Sequence, residues 1–186
     1  LTAVDFLDTL NPPCYKVASF ENTDHAILAA VAKTGKPVIV STGMASQAEI
    51  AESVEVLRSN GCDDIILLKC TSNYPANPVD ANLKTIPHLS ELFDCHVGLS
   101  DHTPGVGVAV AAVALGATVI EKHFVLDRNG GEVDAEFSLE PHEIKLLVEE
   151  TARAAVAIGK VSYGATEREK ASLVHRRSLY IAKDMK

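Results

Sequence analysis

Two histidines stand at the ends of consecutive β-rich runs of the sequence. His102 follows the run 96–100, and His123 closes the run 118–123. Because neighbouring strands lie about 4.8 Å apart, two inward-facing imidazoles at one level of a sheet can hold a single metal ion with bonds of about 2.1 Å. Two hydrogen-bonded histidines in a polar cleft would give the same pattern, and the sequence contains no HxH or HExxH motif to decide between them.

Side-chain alternation along a strand identifies the residues that share a face with these histidines. If His102 points inward, Ser100 and Gly98 point inward too. If His123 points inward, Glu121 accompanies it. The predicted inner face therefore places hydroxyl and carboxylate groups beside two metal-binding nitrogens.

Hydroxyl and lysine side chains also gather at the C-terminal ends of the predicted strands. They suit a phosphate or a carboxylate, because hydroxyls donate hydrogen bonds and an ammonium group neutralises charge. Serine and threonine are also common as caps of strand ends, which is the alternative without a ligand. The candidate anion contacts are Lys16, Ser41, Thr42, Thr71, Ser72 and Ser100, with Ser19 at the end of the first run.

Lysines at strand ends permit a second chemistry. A desolvated lysine can attack a substrate carbonyl and form a Schiff base, as in aldolases. The candidates are Lys16, Lys69 and Lys122. Binding of an anionic substrate explains the same lysines, so both alternatives stay open on residue types alone.

Strand-like runs and helical patterns alternate along the chain without a hairpin signal, which predicts a parallel sheet with helices outside it. Ser46 and Glu49 form a capping-box pattern, and Pro141 suits the first turn of a helix. The predicted strands are residues 15–19, 37–41, 64–70, 96–100 and 118–123. The predicted helices are residues 2–10, 24–34, 46–60, 83–93, 106–115 and 141–158.

All five predicted strands are apolar in their bodies and polar at their C-terminal ends. A doubly wound open sheet draws functional groups from the strands near its switch point, whereas a barrel draws them from many strands. The pattern therefore predicts an α/β fold of the (β/α)8 TIM-barrel type. Because eight units close such a barrel, we expect an N-terminally incomplete portion with about five βα units.

Composition excludes several classes of protein. The 186 residues are 47% hydrophobic and 23% charged, which fits one compact domain rather than a disordered chain. A formal net charge of -8 argues against non-specific nucleic-acid binding. The longest apolar run, 106–117, is too short to cross a bilayer, and no signal-peptide pattern opens the sequence. The four cysteines show no paired spacing, so we expect reduced core thiols in a cytoplasmic protein.

Six segments, in order over nearly the whole chain, resemble the sialic acid synthase family. They are residues 15–21, 35–44, 69–75, 98–103, 115–124 and 137–141. The stretch 130–141 is most similar to the pseudaminic acid synthase branch, because the N-acetylneuraminate branch more often carries a Gly-Pro-Asp there.

The resemblance implies a catalytic (β/α)8 barrel followed by a small antifreeze-like (SAF) domain, in a domain-swapped homodimer. Residues 1–165 would then belong to the barrel, and residues 166–186 would form the linker and the start of the small domain. The implied enzyme is a transferase that condenses phosphoenolpyruvate with an N-acetylated amino-sugar aldehyde. It releases phosphate and makes a nonulosonic acid for cell-surface polysaccharides. The alternatives are the N-acetylneuraminate branch and, outside the family, a Schiff-base aldolase or a non-catalytic barrel subunit.

The resemblance also assigns roles to residues. His102 and His123 match the ligands of a divalent metal, which could be manganese, magnesium or cobalt. The catalytic set adds Glu21 and Asp134, which with Tyr74 would face the sugar. The matched substrate contacts, mainly to phosphoenolpyruvate, are Lys16, Ser19, Ser41, Thr71, Ser72 and Ser100.

Overall fold

The computed structural model describes residues 2–180 and 182–184. Its strands are β1 (Tyr15–Val17), β2 (Val38–Ser41), β3 (Ile65–Cys70), β4 (His96–Asp101) and β5 (Val119–Lys122). Its α-helices are α1 (Thr2–Thr9), α2 (His25–Ala32), α3 (Gln47–Ser59), α4 (Thr85–Phe93), α5 (Gly107–Ala114) and α6 (Pro141–Ile158). The predicted alternation of strands and helices is confirmed.

The five strands form one parallel sheet in the order β1-β2-β3-β4-β5. Each strand pairs with the next strand in sequence, so the order does not reverse anywhere in this sheet. A doubly wound sheet needs such a reversal to create its switch point. The open-sheet alternative is therefore not supported by the topology.

The sheet is strongly curled. Lys16 on β1 and Glu121 on β5 form an ion pair of 3.2 Å between Nζ and Oε2. In a flat sheet these strands, four spacings apart, would be separated by about 19 Å, which their side chains could not bridge. The curl makes a concave inner face and gives the chain the form of a half-barrel.

The hydrophobic core lies between the outer face of the sheet and the helices. Strand residues such as Val38 and Leu67 pack there against Leu28, Leu57 and Ile86 of the helices, and all of them are fully buried. Because this layer stabilises the strands from the outer side, the polar strand ends on the inner face are not needed for the core and can form a binding site.

Packing inside the curl requires a glycine in β4. A Cβ atom on Gly98 would meet the Val119 carbonyl oxygen at 2.2 Å and the Leu68 side chain at 2.6 Å. Leu68 is fully buried and fills the inner face at this level. Gly98 therefore lets β4 and β5 approach the apolar floor below the polar strand ends.

Two predicted helix starts are confirmed. The Ser46 side chain accepts from the backbone of Glu49, whose carboxylate in turn accepts from the Ser46 backbone. Pro141 occupies the first turn of α6, which Glu140 and Glu143 cap in the same reciprocal manner. These caps fix the residues at which the helices α3 and α6 begin after the strand ends, and so where the chain turns back along the outside of the sheet.

Strand ends differ from the prediction by one or two residues. β1 stops at Val17 because Glu21 forms a turn, donating its backbone N–H to the Ala18 carbonyl and accepting the Ala18 N–H at its side chain. β4 continues to Asp101 and β5 stops at Lys122.

Residues 160–180 are exposed and contain a 3₁₀ segment, Glu167–His175. This stretch covers most of the predicted entry to a small C-terminal domain. Residues 181, 185 and 186 of that entry lie outside the described residues, and the domain boundary at 165–166 stays a prediction. Among the helices of the described ranges, none is both long and apolar enough to cross a membrane.

Candidate functional site

A pocket of about 140 Å³ opens on the inner face, where the strands end. Each of the five strands contributes one side chain to its wall: Lys16, Ser41, Cys70, Ser100 and Glu121. Contribution from every strand is typical of the mouth of a β/α barrel, where active sites lie. This arrangement follows from the curl, because a flat sheet would spread these side chains along one edge.

His102 and His123 lie side by side in this pocket. Each comes directly after the last residue of its strand, and the centroids of the two rings are 5.2 Å apart. His102 is buried, with 5% of its surface exposed, and His123 is about one-third exposed. The predicted pairing of the two imidazoles on the inner face is therefore present.

A hydrogen bond sets the tautomer of His102. Its Nδ1 lies 2.9 Å from the carbonyl oxygen of Thr71. A carbonyl oxygen only accepts, so Nδ1 carries the proton and Nε2 keeps its lone pair. Metal-binding histidines are oriented in this way by a carbonyl or carboxylate on the other ring nitrogen. His102 thus fits the part of a metal ligand.

Asp134 approaches the second histidine. It has a left-handed backbone with φ of 66°, and its Oδ2 lies 3.6 Å from His123 Nδ1. Two imidazoles with a nearby carboxylate suit a divalent transition metal such as manganese or cobalt. The residues present therefore fit the divalent metal that the family resemblance implies, for which His102 and His123 would be the protein ligands.

The two imidazoles differ in proton affinity. Burial disfavours the charged form of His102, but hydrogen bonds to the Cys70 thiol and the Thr71 carbonyl outweigh it and raise the pKa of His102. Burial and the neighbouring His102 lower the pKa of His123, and Asp134 compensates only in part. His123 is therefore held as a neutral imidazole, the form that binds metal.

Aromatic rings enclose the pair of histidines. Tyr74 lies 4.4 Å from His102 between ring centroids, and Phe137 lies 4.9 Å from His123. Phe137 is buried, whereas Tyr74 is partly exposed at the pocket mouth. Each of the two rings thus packs against both imidazoles on this side of the pocket.

A charged network crosses the rest of the pocket. Glu121 accepts a hydrogen bond of 2.7 Å from Ser100 Oγ at one oxygen and pairs with Lys16 at the other. Ser41 Oγ is buried and has no hydrogen-bond partner within the part of the chain that the structure describes. A buried hydroxyl without a partner costs stability, and a bound ligand would supply that partner.

Ser19 and Ser72 form a second pair of hydroxyls, with their Oγ atoms 2.8 Å apart. Gly43 packs directly against them with φ of +49°, and a Cβ there would meet Ser19 Cβ at 2.3 Å and Ser72 Oγ at 2.9 Å. Only glycine fits this position. Ser19 lines the pocket, and Ser72 holds the Ser19 hydroxyl through their hydrogen bond.

Four predicted site residues do not line the pocket itself: Thr71, Glu21, Ser72 and Asp134. Ser72 bonds the pocket residue Ser19 and Asp134 approaches His123, whereas Thr71 and Glu21 have other partners. Thr71 Oγ1 donates to the Asp80 carbonyl at 3.2 Å and accepts from Lys69 Nζ at 3.3 Å, because alternation directs its side chain away from the inner face. Glu21 is exposed and its carboxylate is engaged with the Ala18 backbone. Their predicted contacts with substrate stay predictions.

The three lysines that suggested a Schiff base separate in the structure. Lys122 is buried in an ion pair with Asp101, on the face opposite His123. Lys69 donates to the Cys70 carbonyl, and burial lowers the pKa of its ammonium group. Lys16 is the one of these three that lines the pocket, and there it is paired with Glu121. Lys122 and Lys69 are not placed to attack a carbonyl in this pocket.

Glu121 and Cys70 line the pocket but are missing from the predicted site. Phe137, which packs against the two histidines beside the pocket, is missing as well. Glu121 had a signal, because it alternates with His123 along β5. Cys70 had a signal as well, because it stands two residues before Ser72, but the sequence pattern predicts all four cysteines to lie in the core. In the structure the four cysteines are free thiols, and Cys70 lies in the pocket wall. Phe137 lies in the segment 137–141 that resembles the family, but no local pattern indicates its contact with the histidines, because it reaches them from the 3₁₀ turn Ala135–Phe137 after β5.

A second group of possible metal donors occurs at the start of α6. Ligand atoms of Glu140, His142 and Glu143 lie within 4.8 Å of one another. Both carboxylates are already in use, since Glu140 accepts from the Arg128 backbone and Glu143 pairs with the Arg128 guanidinium and caps the helix. The cluster is explained as a helix cap tied to Arg128.

Comparison with known proteins places the chain among sialic-type acid synthases. Pseudaminic acid synthase of Campylobacter jejuni is 44% identical over 183 residues, which are 98% of this chain and 53% of that protein. N,N'-diacetyllegionaminic acid synthase of the same species is 42% identical over 189 residues, covering 100% of this chain and 57% of the relative. The chain therefore spans about half the length of these curated relatives.

A solved structure agrees with the sequence matches. N-acetylneuraminic acid synthetase of Leptospira borgpetersenii, crystallised with citrate, superposes with a TM-score of 0.84 at 36% identity. The match covers 95% of this chain and 61% of that one. The family model described as the NeuB family matches residues 1–163. Because that match includes the whole half-barrel and its pocket, the chain belongs to the NeuB family.

Proposed function

We propose that this chain carries the metal and phosphoenolpyruvate subsites of a nonulosonic (sialic-type) acid synthase. The full protein would be a transferase that joins phosphoenolpyruvate to an N-acetylated amino-sugar aldehyde and releases phosphate. The preferred branch is pseudaminic acid synthase, because residues 130–141 resemble that branch. The identities to pseudaminic and legionaminic acid synthases, 44% and 42%, are too close to select the sugar by themselves.

The observation that carries this proposal is the joint presence of two kinds of subsite in one pocket. His102 and His123 supply paired imidazoles. The opposite wall supplies Lys16 and the hydroxyl of Ser41, which has no hydrogen-bond partner among the described residues. An aldehyde polarised by a divalent metal and an anionic enol phosphate would need these two subsites next to each other. A non-catalytic barrel subunit would not need a buried hydroxyl without a partner.

The overall reaction consumes phosphoenolpyruvate, the aldehyde and one water, and yields the sugar acid and phosphate. The enol carbon forms a bond to the aldehyde carbon, which becomes an alcohol. Water adds to the cationic carbon left at the phosphate-bearing position, and the carbon–oxygen bond to phosphate then breaks. A divalent metal, when bound, supplies Lewis-acid polarisation of the aldehyde oxygen.

The residues of this chain would bind and orient the two substrates. Lys16, Ser41 and Ser100 donate to the anionic groups of phosphoenolpyruvate and stabilise the departing phosphate without reorganisation. Because Glu121 holds Lys16 and Ser100 beforehand, the incoming anion replaces a carboxylate that is already in position. Tyr74 exposes its hydroxyl-bearing ring at the mouth, where the sugar would enter.

Three further features of the whole protein belong to this proposal. Additional strands would close the half-barrel into a (β/α)8 barrel. A small antifreeze-like domain would follow residue 165 and would cover the partner's site in a domain-swapped homodimer. The enzyme would work in the cytoplasm, where phosphoenolpyruvate is made. Support for all three comes from the resemblance to the family.

Phosphate release from phosphoenolpyruvate by the full-length protein tests the proposal. Reactions contain either N-acetylmannosamine or the 2,4-diacetamido sugar aldehyde, with and without a chelator. We expect release that requires metal and occurs with the diacetamido sugar. Release with N-acetylmannosamine alone would move the protein to the neuraminate branch. Absence of release with either sugar would contradict the synthase assignment, and borohydride trapping at Lys16 would then test the aldolase alternative.

A further inference from the structure

A buried ion pair lies on the outer side of the two strands that carry the histidines. Lys122 Nζ is 3.0 Å from Asp101 Oδ2, and each side chain is only 2% exposed. The two residues face each other at the last rung of the β4–β5 ladder. His102 and His123 follow them by one residue each, so alternation directs the histidines to the inner face.

The ion pair also fixes the chain on the far side of His102. Asp101 Oδ1 accepts from the backbone N–H of Thr103 at 2.9 Å and from its hydroxyl at 2.8 Å. Lys122 Nζ donates to the Thr103 carbonyl as well. Asp101 and Thr103 are the two neighbours of His102, so a lysine of β5 bonds the residues on both sides of the histidine that follows β4.

Stability does not explain why this pair is charged. Removing two ions from water is costly, and a well-packed apolar pair of similar volume is often as stable or more stable. An apolar side chain at Lys122 could not bond the Thr103 carbonyl, and one at Asp101 could not bond the Thr103 N–H. The charged network therefore fixes the direction of the backbone on both sides of His102, which apolar packing could not do.

The backbone hydrogen bonds of the two histidines hold each one separately. The His102 carbonyl accepts from Ala76 N–H at 3.0 Å, and the His123 carbonyl accepts from Leu139 N–H at 2.8 Å. Strand pairing itself stops at the rung before the histidines. The network centred on Lys122 is thus a polar link on the outer face between the two strand ends where the imidazoles must converge. The Ser100–Glu121 hydrogen bond links the same two strands on the inner face.

We propose that Asp101, Lys122 and Thr103 are positioning residues that set the spacing of His102 and His123 for a single divalent metal ion. The inference rests on the metal site of the proposed function and assigns the network no contact with substrate. Its consequence is that loss of the network weakens metal binding even when the protein stays folded.

Cobalt binding by the full-length apoprotein tests this directly, because Co²⁺ reports both affinity and geometry through its visible absorption. In D101N the side chain keeps its shape but loses its charge. We expect the Kd for Co²⁺ to rise about tenfold or more and the absorption spectrum to change, as for other residues that orient metal ligands. K122R keeps the positive charge beside Asp101, so its Kd for Co²⁺ should rise less than that of D101N. If D101N does not fold, T103A, which keeps both charges of the pair, is measured in its place.

Two further variants separate positioning from stability. The double variant D101N/K122M leaves no unpaired charge in the core, so its Tm should return toward that of the wild type while the Kd for Co²⁺ stays weakened. S53A removes a buried hydrogen bond on α3, away from the histidines, and should lower Tm without changing the Kd.

The result that overturns the inference is an unchanged Kd in D101N and T103A, or a wild-type Kd in the double variant. If the wild-type protein binds cobalt and releases phosphate while the variants bind equally well, the inference fails and the proposed function stands. If the wild-type protein binds no divalent metal, the metal site of the proposed function fails, and the inference falls with it.

Discussion

The two faces of the sheet treat their polar groups in opposite ways. On the outer face, Asp101 and Lys122 satisfy each other and the backbone of Thr103 at a solvent exposure of 2%. On the inner face, Ser41 Oγ has no partner within the described ranges, and Lys16 is held only by Glu121. The difference distinguishes polar groups that organise the fold from polar groups that await a ligand.

This contrast has a physical basis. A buried polar group that is never hydrogen-bonded costs stability in every molecule, so structural networks are completed within the protein. A binding site can leave a group incomplete, because the ligand provides the missing bond. Substitutions on the inner face should therefore change binding and rate more than stability, and substitutions on the outer face should change both.

The largest effect is expected for H123A. Loss of one of two protein ligands should remove the metal, and Lewis-acid catalysis contributes several kcal/mol, so kcat should fall about 10³-fold or more. The fold should persist, because His123 is partly exposed and its removal leaves the apolar core intact. Steady-state phosphate release and circular dichroism measure the two outcomes. H88A, at an exposed histidine on α4, is the matched control. Retained turnover in H123A would refute the metal assignment.

K16M should have the next largest effect. It removes a cation that faces the substrate and leaves the Glu121 carboxylate without its counter-charge in the pocket. Hydrogen bonds to charged groups contribute about 1.5–3 kcal/mol, so the KM for phosphoenolpyruvate should rise about 10- to 100-fold. Initial rates over a range of phosphoenolpyruvate concentrations give the value.

The matched control for K16M is K36M, since Lys36 also pairs with a carboxylate, Asp8 at 3.3 Å, but lies away from the pocket. Its KM should equal that of the wild type. Equal shifts in both variants would mean that Lys16 acts through general electrostatics and not through contact with the substrate. A KM for K16M at the wild-type value would contradict the anion subsite.

Much of this contrast is foreseeable from the sequence, and the reasons are local. Alternation along a strand has a period of two, so His102, Ser100 and His123 could be assigned to one face without a structure. Capping residues such as Ser46 mark helix starts because their bonds are formed within one turn. These features depend on neighbours in sequence, which a pattern can record.

What the sequence did not predict depends on distant segments. The curl of the sheet decides that Lys16 meets Glu121 across three intervening strands, and no local pattern encodes that distance. Phe137 reaches His123 from the 3₁₀ turn Ala135–Phe137, and this contact depends on the path of the chain after β5. Thr71 was expected to line the pocket on its residue type, but its side chain follows the outward alternation of Lys69 and Thr71 and bonds the Asp80 carbonyl.

The smallest effect, and the sharpest test of the contrast, concerns two buried serines. Ser41 Oγ has no partner in the described ranges, whereas Ser53 Oγ donates to the carbonyls of Asn22 at 2.6 Å and Glu49 at 2.8 Å. Both residues are 2% exposed, so S41A and S53A remove the same hydroxyl from equally buried positions. Loss of a satisfied hydrogen bond costs about 0.5–1.5 kcal/mol, whereas loss of an unsatisfied hydroxyl is neutral or stabilising.

We therefore expect S53A to lower the free energy of unfolding by about 1 kcal/mol and S41A to leave it unchanged or slightly raised. The KM for phosphoenolpyruvate should show the reverse order, rising about fivefold in S41A, since one hydrogen bond to the ligand is lost, and less in S53A. Urea unfolding and initial rates on the same preparations supply both quantities. If S41A is destabilised as much as S53A, then Ser41 has a structural partner, and the inner face does not keep this hydroxyl for a ligand.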